Sequence, residues 1–472
     1  MLNDNVRRHF ANSAIGVIVI VALTIFAASF LPLPRFHDFV YAYVGFNHII
    51  QWCIAVSLLV VAWLLYQRKR VAWTLCIILL PASMLLHFVL HHHPINTVII
   101  ILEAYALLAL LLCHSDFRRP MHQRFKVKRL PPDDKARIRE LVLKYGQNPC
   151  SYLALEDDKI IYFGKEVNGV IAYGIVGNVI TVCADPICAP EDFVRFLAEF
   201  KAFCAECSYE CIFLGTTNLF LKEYEMLGYS HVKSGEEAVF ELADYQLAGG
   251  KMAKLRTLIN HANKEVTTHE YKPLENKDIE IEKGIAAVSE AWLEGKKSSQ
   301  LGFSVGGVGL EDPMDRRYIY ATDADGKIVA FNVFLPYANS TGYMADVTRR
   351  IPHSPGGATE KLIYDGFMIF KEEGAILGSM GQAPLANVHE EGVKDNMTVK
   401  IIEFIYENCN KFYGFKDLHK AKEKYSPTVW APGYFVFSTK NITPEMVFAS
   451  IKIQNPGGIS DYLLSSVRGL FK

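Results

Sequence analysis

The stretch GYMADVTRRIPHSPGGATEKLIYDGFMIFKEEGAILGSMG, Gly342–Gly381, decides the fold. Its first residues read as a strand, PHSPGG as a turn, residues 357–374 as a helix closed by a glycine, and residues 375–381 as a further strand. Upstream lie a helix over 281–296 and a hairpin over 316–337 that turns at Asp325-Gly326; downstream, TVKIIEFIYENCNKF (398–412) is helical. The first half has the same coarse order. A helix over 133–146 stops at Gly146, successive strands over 159–187 turn at Asn168-Gly169 and Gly177-Asn178, and a helix (190–209), a buried strand (211–217) and a helix (218–229) follow. Two successive α/β units of one order predict a duplicated mixed-sheet fold, although no repeat is visible by identity.

Everything before this region is different. Of 472 residues, 49 are Lys or Arg and 50 Asp or Glu, for a net charge of -1, but charges are nearly absent from Ile15 to Cys113. Apolar runs near 14–31, 44–66, 71–90 and 95–113 each approach the about 20 residues that a helix needs to cross a bilayer. No small-residue cleavage site follows the first run; Pro32, Pro34 and Arg35 stand there instead. Basic residues at 7–8, 68–70 and 118–129 place both termini and the large α/β part on the cytoplasmic side. Glu103 is the one clear acid inside a run, with His87 as a candidate partner and a packing hydrogen bond as the alternative. His91, His92 and His93 read as a turn rather than a metal site. The basic run from Arg118 to Arg129 serves topology and attracts anionic headgroups. The near-neutral total excludes bulk, non-specific nucleic-acid binding but leaves a local basic patch open.

The cysteines form no regular framework. Cys204, Cys207 and Cys211 include one C-x-x-C spacing without a second ligand pair, so buried free thiols are expected and no metal. The expected division is a transmembrane segment over 1–115, a basic cytosolic linker over 116–132, α/β units over 133–270 and 271–440, and a tail over 441–472.

The helix, antiparallel-strand, strand-into-helix order is typical of acyltransferases of the GNAT type, a fold that by itself names no donor. Stretches at 251–266, 290–307, 325–336, 346–374, 377–388 and 412–435 together resemble, in order, the catalytic C-terminal domain of the phosphatidylglycerol lysyltransferases, also called multiple peptide resistance factors. The resemblance implies tandem GNAT-like domains around a tunnel. It also implies transfer of an aminoacyl group, lysine first, from aminoacyl-tRNA to the hydroxyl of phosphatidylglycerol, an anionic phospholipid of the bilayer. One ester replaces another, so no cofactor is needed; neither G-x-x-x-x-G-K-[ST] nor G-x-G-x-x-G occurs. Members of that family carry many more membrane spans, including a lipid-translocating module, so translocation of the product is not implied here.

Asp346 and Arg349, three apart at a strand end, lead the candidate site. The resemblance implies that they serve the aminoacyl group, Asp346 holding an ammonium and Arg349 orienting carbonyl or phosphate oxygens. Lys424 and Tyr425 follow, in a basic stretch with Lys411, Lys416 and Lys420 suited to a tRNA acceptor end, or else a solvated helix face. Lys254 and Arg256, with Lys251, form a basic helix start that suits a phosphate or simply faces water. HSPGGA lacks the usual pyrophosphate-cradling pattern and reads as a loop. The alternatives are a membrane-tethered N- or O-acyltransferase using coenzyme A or another acceptor, and a non-catalytic lipid-binding protein.

Overall fold

The computed structural model describes residues 4–28, 48–66, 68–90, 94–114, 117, 129–295, 302–389 and 415–455. These fall into a helical unit, residues 1–125 with 203–209, and an α/β unit that takes the rest. The expected helix over 398–412, the histidine turn at 91–93 and the basic run over 118–128 lie outside the described residues.

The helical unit contains α1 (Asp4–Ala28), α2 (His48–Tyr66), α3 (Arg70–Leu90) and α4 (Pro94–Leu112), one on each apolar run. Its buried seam sets the small side chains of Ala11, Ala14, Ala62, Ala72, Ala106 and Ala109 beside Ile18, Leu65 and Leu110, while Ile20, Trp63, Ile78, Leu85 and Leu108 are exposed. Glu103 is buried and accepts a hydrogen bond from Ser83 Oγ at 2.7 Å, a contact between two helices of the unit; the His87 side chain lies outside the described residues. Over the described residues no helix is long and apolar enough to cross a membrane, so the four expected spans are not shown.

The α/β unit is organised by one sheet of 11 strands in the order β1-β2-β3-β4-β11-β5-β10-β9-β8-β7-β6. Helix α5 (Pro132–Tyr145) starts on a proline with Asp133 and Asp134 in its first turn, where acids suit the helix dipole, and Gly146 follows its last residue. Then come β1 (Ile160–Phe163), β2 (Val170–Val176), β3 (Val179–Cys183), α6 (Phe193–Glu206), β4 (Glu210–Thr216), α7 (Leu221–Met226) and β5 (Ser230–Glu241). The second half holds α8 (Ala253–Ala262), β6 (Thr267–Tyr271), α9 (Ile279–Glu294), the hairpin β7 (Arg317–Thr322) and β8 (Ile328–Tyr337), β9 (Gly342–Arg350), α10 (Ala358–Glu372) and β10 (Leu377–Pro384). At the hairpin turn Gly326 has φ +82°, and Asp323 Oδ1 accepts the Asp325 and Lys327 backbone N–H groups.

Two crossings tie the halves together. Strand β11 (Val429–Phe437), which follows α11 (Phe415–Glu423), inserts between β4 and β5, and α12 (Pro444–Gln454) packs on β2, β3 and β4 of the first half. The expected boundary at 270 falls inside β6, which pairs with β7, and α8 already packs on α10, so the second half begins earlier than expected. The expected tail from 441 is likewise part of the first half's packing through α12.

An aromatic core fills the second half, with Phe240 5.1 Å from Phe367 and Phe334 4.9 Å from Phe370 between ring centroids. Beside it the buried Arg317 pairs with Glu270 of β6 and Glu373 at the end of α10, and its guanidinium lies 4.5 Å from the Phe370 ring centroid. Arg317→Met leaves two carboxylates facing each other, so we expect it to destabilise the α/β unit by about 3 kcal/mol in denaturant unfolding.

Candidate active site

The site arises where two neighbouring strands part. Strands β9 and β10 begin as a parallel pair, Leu377 opposite Gly342 through Ser379 opposite Met344. Beyond that point β9 continues along β8 to Arg350, whereas β10 bends away along β5 to Pro384. A bulge marks each side of the split. On β9, Ala345 pairs with Phe334 and Val347 with Val333, which leaves Asp346 as the extra residue. On β10, the register shifts between Ser379 and Gln382, and Gly381 sits there at φ +69°, a conformation that favours glycine. Bulges re-aim side chains out of the regular alternation, and here one turns Asp346 to the Gly306 backbone.

On the β9 side, the Asp346 carboxylate accepts the Gly306 backbone N–H at 3.1 and 3.2 Å. Burial pushes this carboxyl up to about 7, helped by the Glu156 charge and opposed by the Gly306 hydrogen bond and Arg316. The neighbouring acids already carry partners: Glu156 binds Arg316 at 2.7 Å and the Gly307 N–H at 3.2 Å, and Asp158 binds Lys159 at 2.5 Å and the Phe303 N–H at 2.8 Å. The backbone N–H groups of Phe303, Gly306 and Gly307 thus each hold one carboxylate, of Asp158, Asp346 and Glu156 in turn. Gly306 is required by close approach, because a Cβ there would lie 2.2 Å from Asp346 Oδ2. Gly306→Ala should therefore displace the carboxylate, with initial rates of transfer falling roughly tenfold and the thermal midpoint shifting little.

Across the split, Lys422 is 6% exposed, and its ammonium donates to the carbonyls of Gly381 at 2.8 Å and Gln382 at 2.5 Å. Burial lowers its pKa to about 8, against the pull of the Glu237 charge. Glu237 of β5 is buried too, accepts from Ser379 Oγ at 2.5 Å, and is pushed up to about 7 by desolvation. The half-buried Cys150 thiol, raised well above its usual range by burial, feels the charges of Glu237, Asp346 and Lys422. A carboxyl and an ammonium with pKa values near neutrality are suited to accept and donate protons at the pH of a cell.

The expected residues divide. Asp346 and Arg349 both border the split, and Arg349 is buried against α9. Lys424 instead pairs with Glu360 on α10, and Tyr425 is a core residue whose backbone carbonyl accepts from Tyr245 Oη at 2.9 Å. Lys254 is exposed on α8, and Arg256 is engaged with the carbonyls of Leu247 and Gly249 at 2.7 and 3.2 Å. Lys420 is exposed; Lys411 and the Lys416 side chain lie outside the described residues. Lys422, Glu237, Ser379 and Glu156 were not anticipated. For Lys422 the signal was available: it stands four residues after Leu418 and three after His419, on the inward face of α11.

A family model described as phosphatidylglycerol lysyltransferase, C-terminal, matches residues 139–437. The chain is 29% identical over 304 residues to the phosphatidylglycerol lysyltransferase of Bacillus subtilis, covering 64% of this chain and 35% of that protein. It is 27% identical over 345 residues to that of Staphylococcus epidermidis, covering 72% and 39%. The chain thus spans little more than a third of the length of the curated relatives it matches. Among solved structures, L-PGS from Bacillus licheniformis matches with a TM-score of 0.58 and 25% identity over 73% of this chain and 99% of that one. The C-terminal domain of a lysylphosphatidylglycerol synthetase from Agrobacterium fabrum shares the fold, at a TM-score of 0.59 and 24% identity over 69% and 98%. With the model covering well over half of its residues, this chain belongs to the phosphatidylglycerol lysyltransferase C-terminal family.

Proposed function

We propose that this protein is a membrane-anchored aminoacyltransferase that moves an aminoacyl group, lysine first among the candidates, from aminoacyl-tRNA to the hydroxyl of phosphatidylglycerol. The observation that carries the reading is the strand split, with Asp346 and Arg349 on one lip and Lys422 and Glu237 on the other, inside the segment matched by the family. The lipid hydroxyl oxygen attacks the ester carbonyl carbon, and Asp346 takes the hydroxyl proton. Arg349 and the Lys422 ammonium stabilise the tetrahedral oxyanion. The carbon–oxygen bond to the tRNA ribose then breaks, and that oxygen leaves with the proton that Asp346 took from the lipid hydroxyl. No net charge is created, and the chemistry asks mainly for position.

The anchored reading is supported by the four apolar runs and by the large apolar side chains that the helical unit leaves exposed, around a seam rich in alanine. The basic residues of the short loops favour placing both termini and the α/β unit at the cytoplasmic face of a bacterial membrane.

Mass spectrometry of total lipids from bacteria expressing the chain, beside cells expressing Asp346→Ala at equal abundance, tests this directly. A lipid heavier by one aminoacyl unit that disappears with the variant supports the transfer, and its mass names amino acid and acceptor. Ribonuclease sensitivity of the reaction in isolated membranes identifies the tRNA donor. Absence of any new lipid in a host that makes phosphatidylglycerol, or activity that survives ribonuclease and needs coenzyme A, would overturn the reading.

A further inference from the structure

Arg349 is held differently from the other buried arginines of the α/β unit. Arg316 and Arg317 each bind a carboxylate, whereas Arg349, 4% exposed, has no ion pair among the described residues. Its Nη1–H donates to Ser289 Oγ, its guanidinium carbon lies 4.9 Å from the Trp292 ring centroid, and its Nε–H finds no partner among the described residues. Burial draws its pKa below the ordinary arginine value, and the charge of Asp346 offsets this only in part. Ser289 and Trp292 are three residues apart and so share one face of α9, a helix capped by the Asp278 side chain and packed on β8 and β9 through Ile285 and Val288.

We propose that Ser289 and Trp292 are positioning residues for Arg349. A hydroxyl and an aromatic face hold a guanidinium without neutralising it: the hydroxyl takes one N–H, the ring attracts the cation through its quadrupole, and neither occupies the Nε edge. A carboxylate at either place would hold the arginine more tightly and quench the charge. The unpartnered edge and the uncompensated charge are thereby kept for an oxygen of the ligand, an ester carbonyl becoming an oxyanion or a phosphate. The inference rests on the reading of Arg349 given above and extends it to α9, a helix that otherwise borders the site only by packing.

The test uses the full chain in phosphatidylglycerol-containing nanodiscs with charged tRNA, comparing Trp292→Leu, Trp292→Phe, Ser289→Asp, Arg349→Lys and the double variant Trp292→Leu/Arg349→Lys. Trp292→Leu should lower kcat by about tenfold or more, with Phe restoring most of it, and should add nothing in the Arg349→Lys background, where no guanidinium remains to be held. Ser289→Asp should raise the thermal midpoint, by giving Arg349 a counter-ion, while kcat falls; a merely structural role for Ser289 predicts no such opposition. Additive losses in the double variant, or Ser289→Asp that is both stable and fully active, overturn the proposal alone. Full activity of Arg349→Lys overturns the reading of the site on which it rests as well.

Discussion

Lys422→Met is expected to reduce aminoacyl-lipid formation by about 10²- to 10⁴-fold, the span typical of losing a group that moves a proton or holds developing charge. Two of the ammonium's three N–H bonds are directed at the Gly381 and Gln382 carbonyls, so the amine is fixed in place by backbone, and the glycine bulge of β10 exists where those carbonyls turn towards it. Burial has brought its pKa down to about 8 from 10.5, so near neutrality it is still a cation, with the proton held less firmly than on an exposed lysine. If the ammonium is the active form, transfer falls as pH rises through about 8. Lys422→Met should remove that alkaline limb along with most of the rate, and initial rates against pH would show both. The fold should survive: removing a buried cation relieves its desolvation, which offsets the two carbonyls and the Glu237 carboxyl left without it. A variant that is folded and retains more than about a tenth of the rate would sink the assignment.

The contrast between Lys422 and Lys424 shows what could be read from the chain and what could not. KAKEKY presents three lysines and a tyrosine, and type alone does not rank them. Helical phase does: Lys422 shares the inward face with Leu418, while Lys424, past the last residue of α11, meets Glu360 and Tyr425 enters the core. Strand β9, helix α10 and strand β10 were legible in spite of the two bulges, because glycines and prolines mark where each begins and ends. Glu237 was not, since β5 carries an extra residue at Ser234, between the pairs Lys233–Tyr434 and Gly235–Gly433, and the bulge breaks the alternation by which a strand is recognised. The insertion of β11 beside β4 and β5 was hidden for another reason. Its partners lie about 200 positions away, and no local pattern reports a pairing made at that distance.

Asp346→Asn should move activity and stability in opposite directions. The carboxyl titrates at about 7 in the folded protein against an ordinary 3.8, so the folded state binds the proton more tightly than the unfolded chain does. That advantage is fully present below the unfolded value and is lost as pH rises through the folded one. Near pH 8 the carboxylate is ionised in a desolvated place beside Glu156, at a cost of order 1–3 kcal/mol to the fold. Asparagine keeps an oxygen for the Gly306 N–H and removes the charge, so the thermal midpoint should rise by a few degrees near pH 8 and hardly change near pH 4. Transfer, which needs the carboxylate as base or as the partner of the substrate ammonium, should fall by about 10²-fold or more at every pH. Paired melting curves and rate profiles decide it. A variant less stable than the parent near pH 8 would mean that Asp346 is a structural acid; one that is more stable and inactive would mean that the fold sustains an unfavourable charge at the bulge of β9 because the chemistry requires it there.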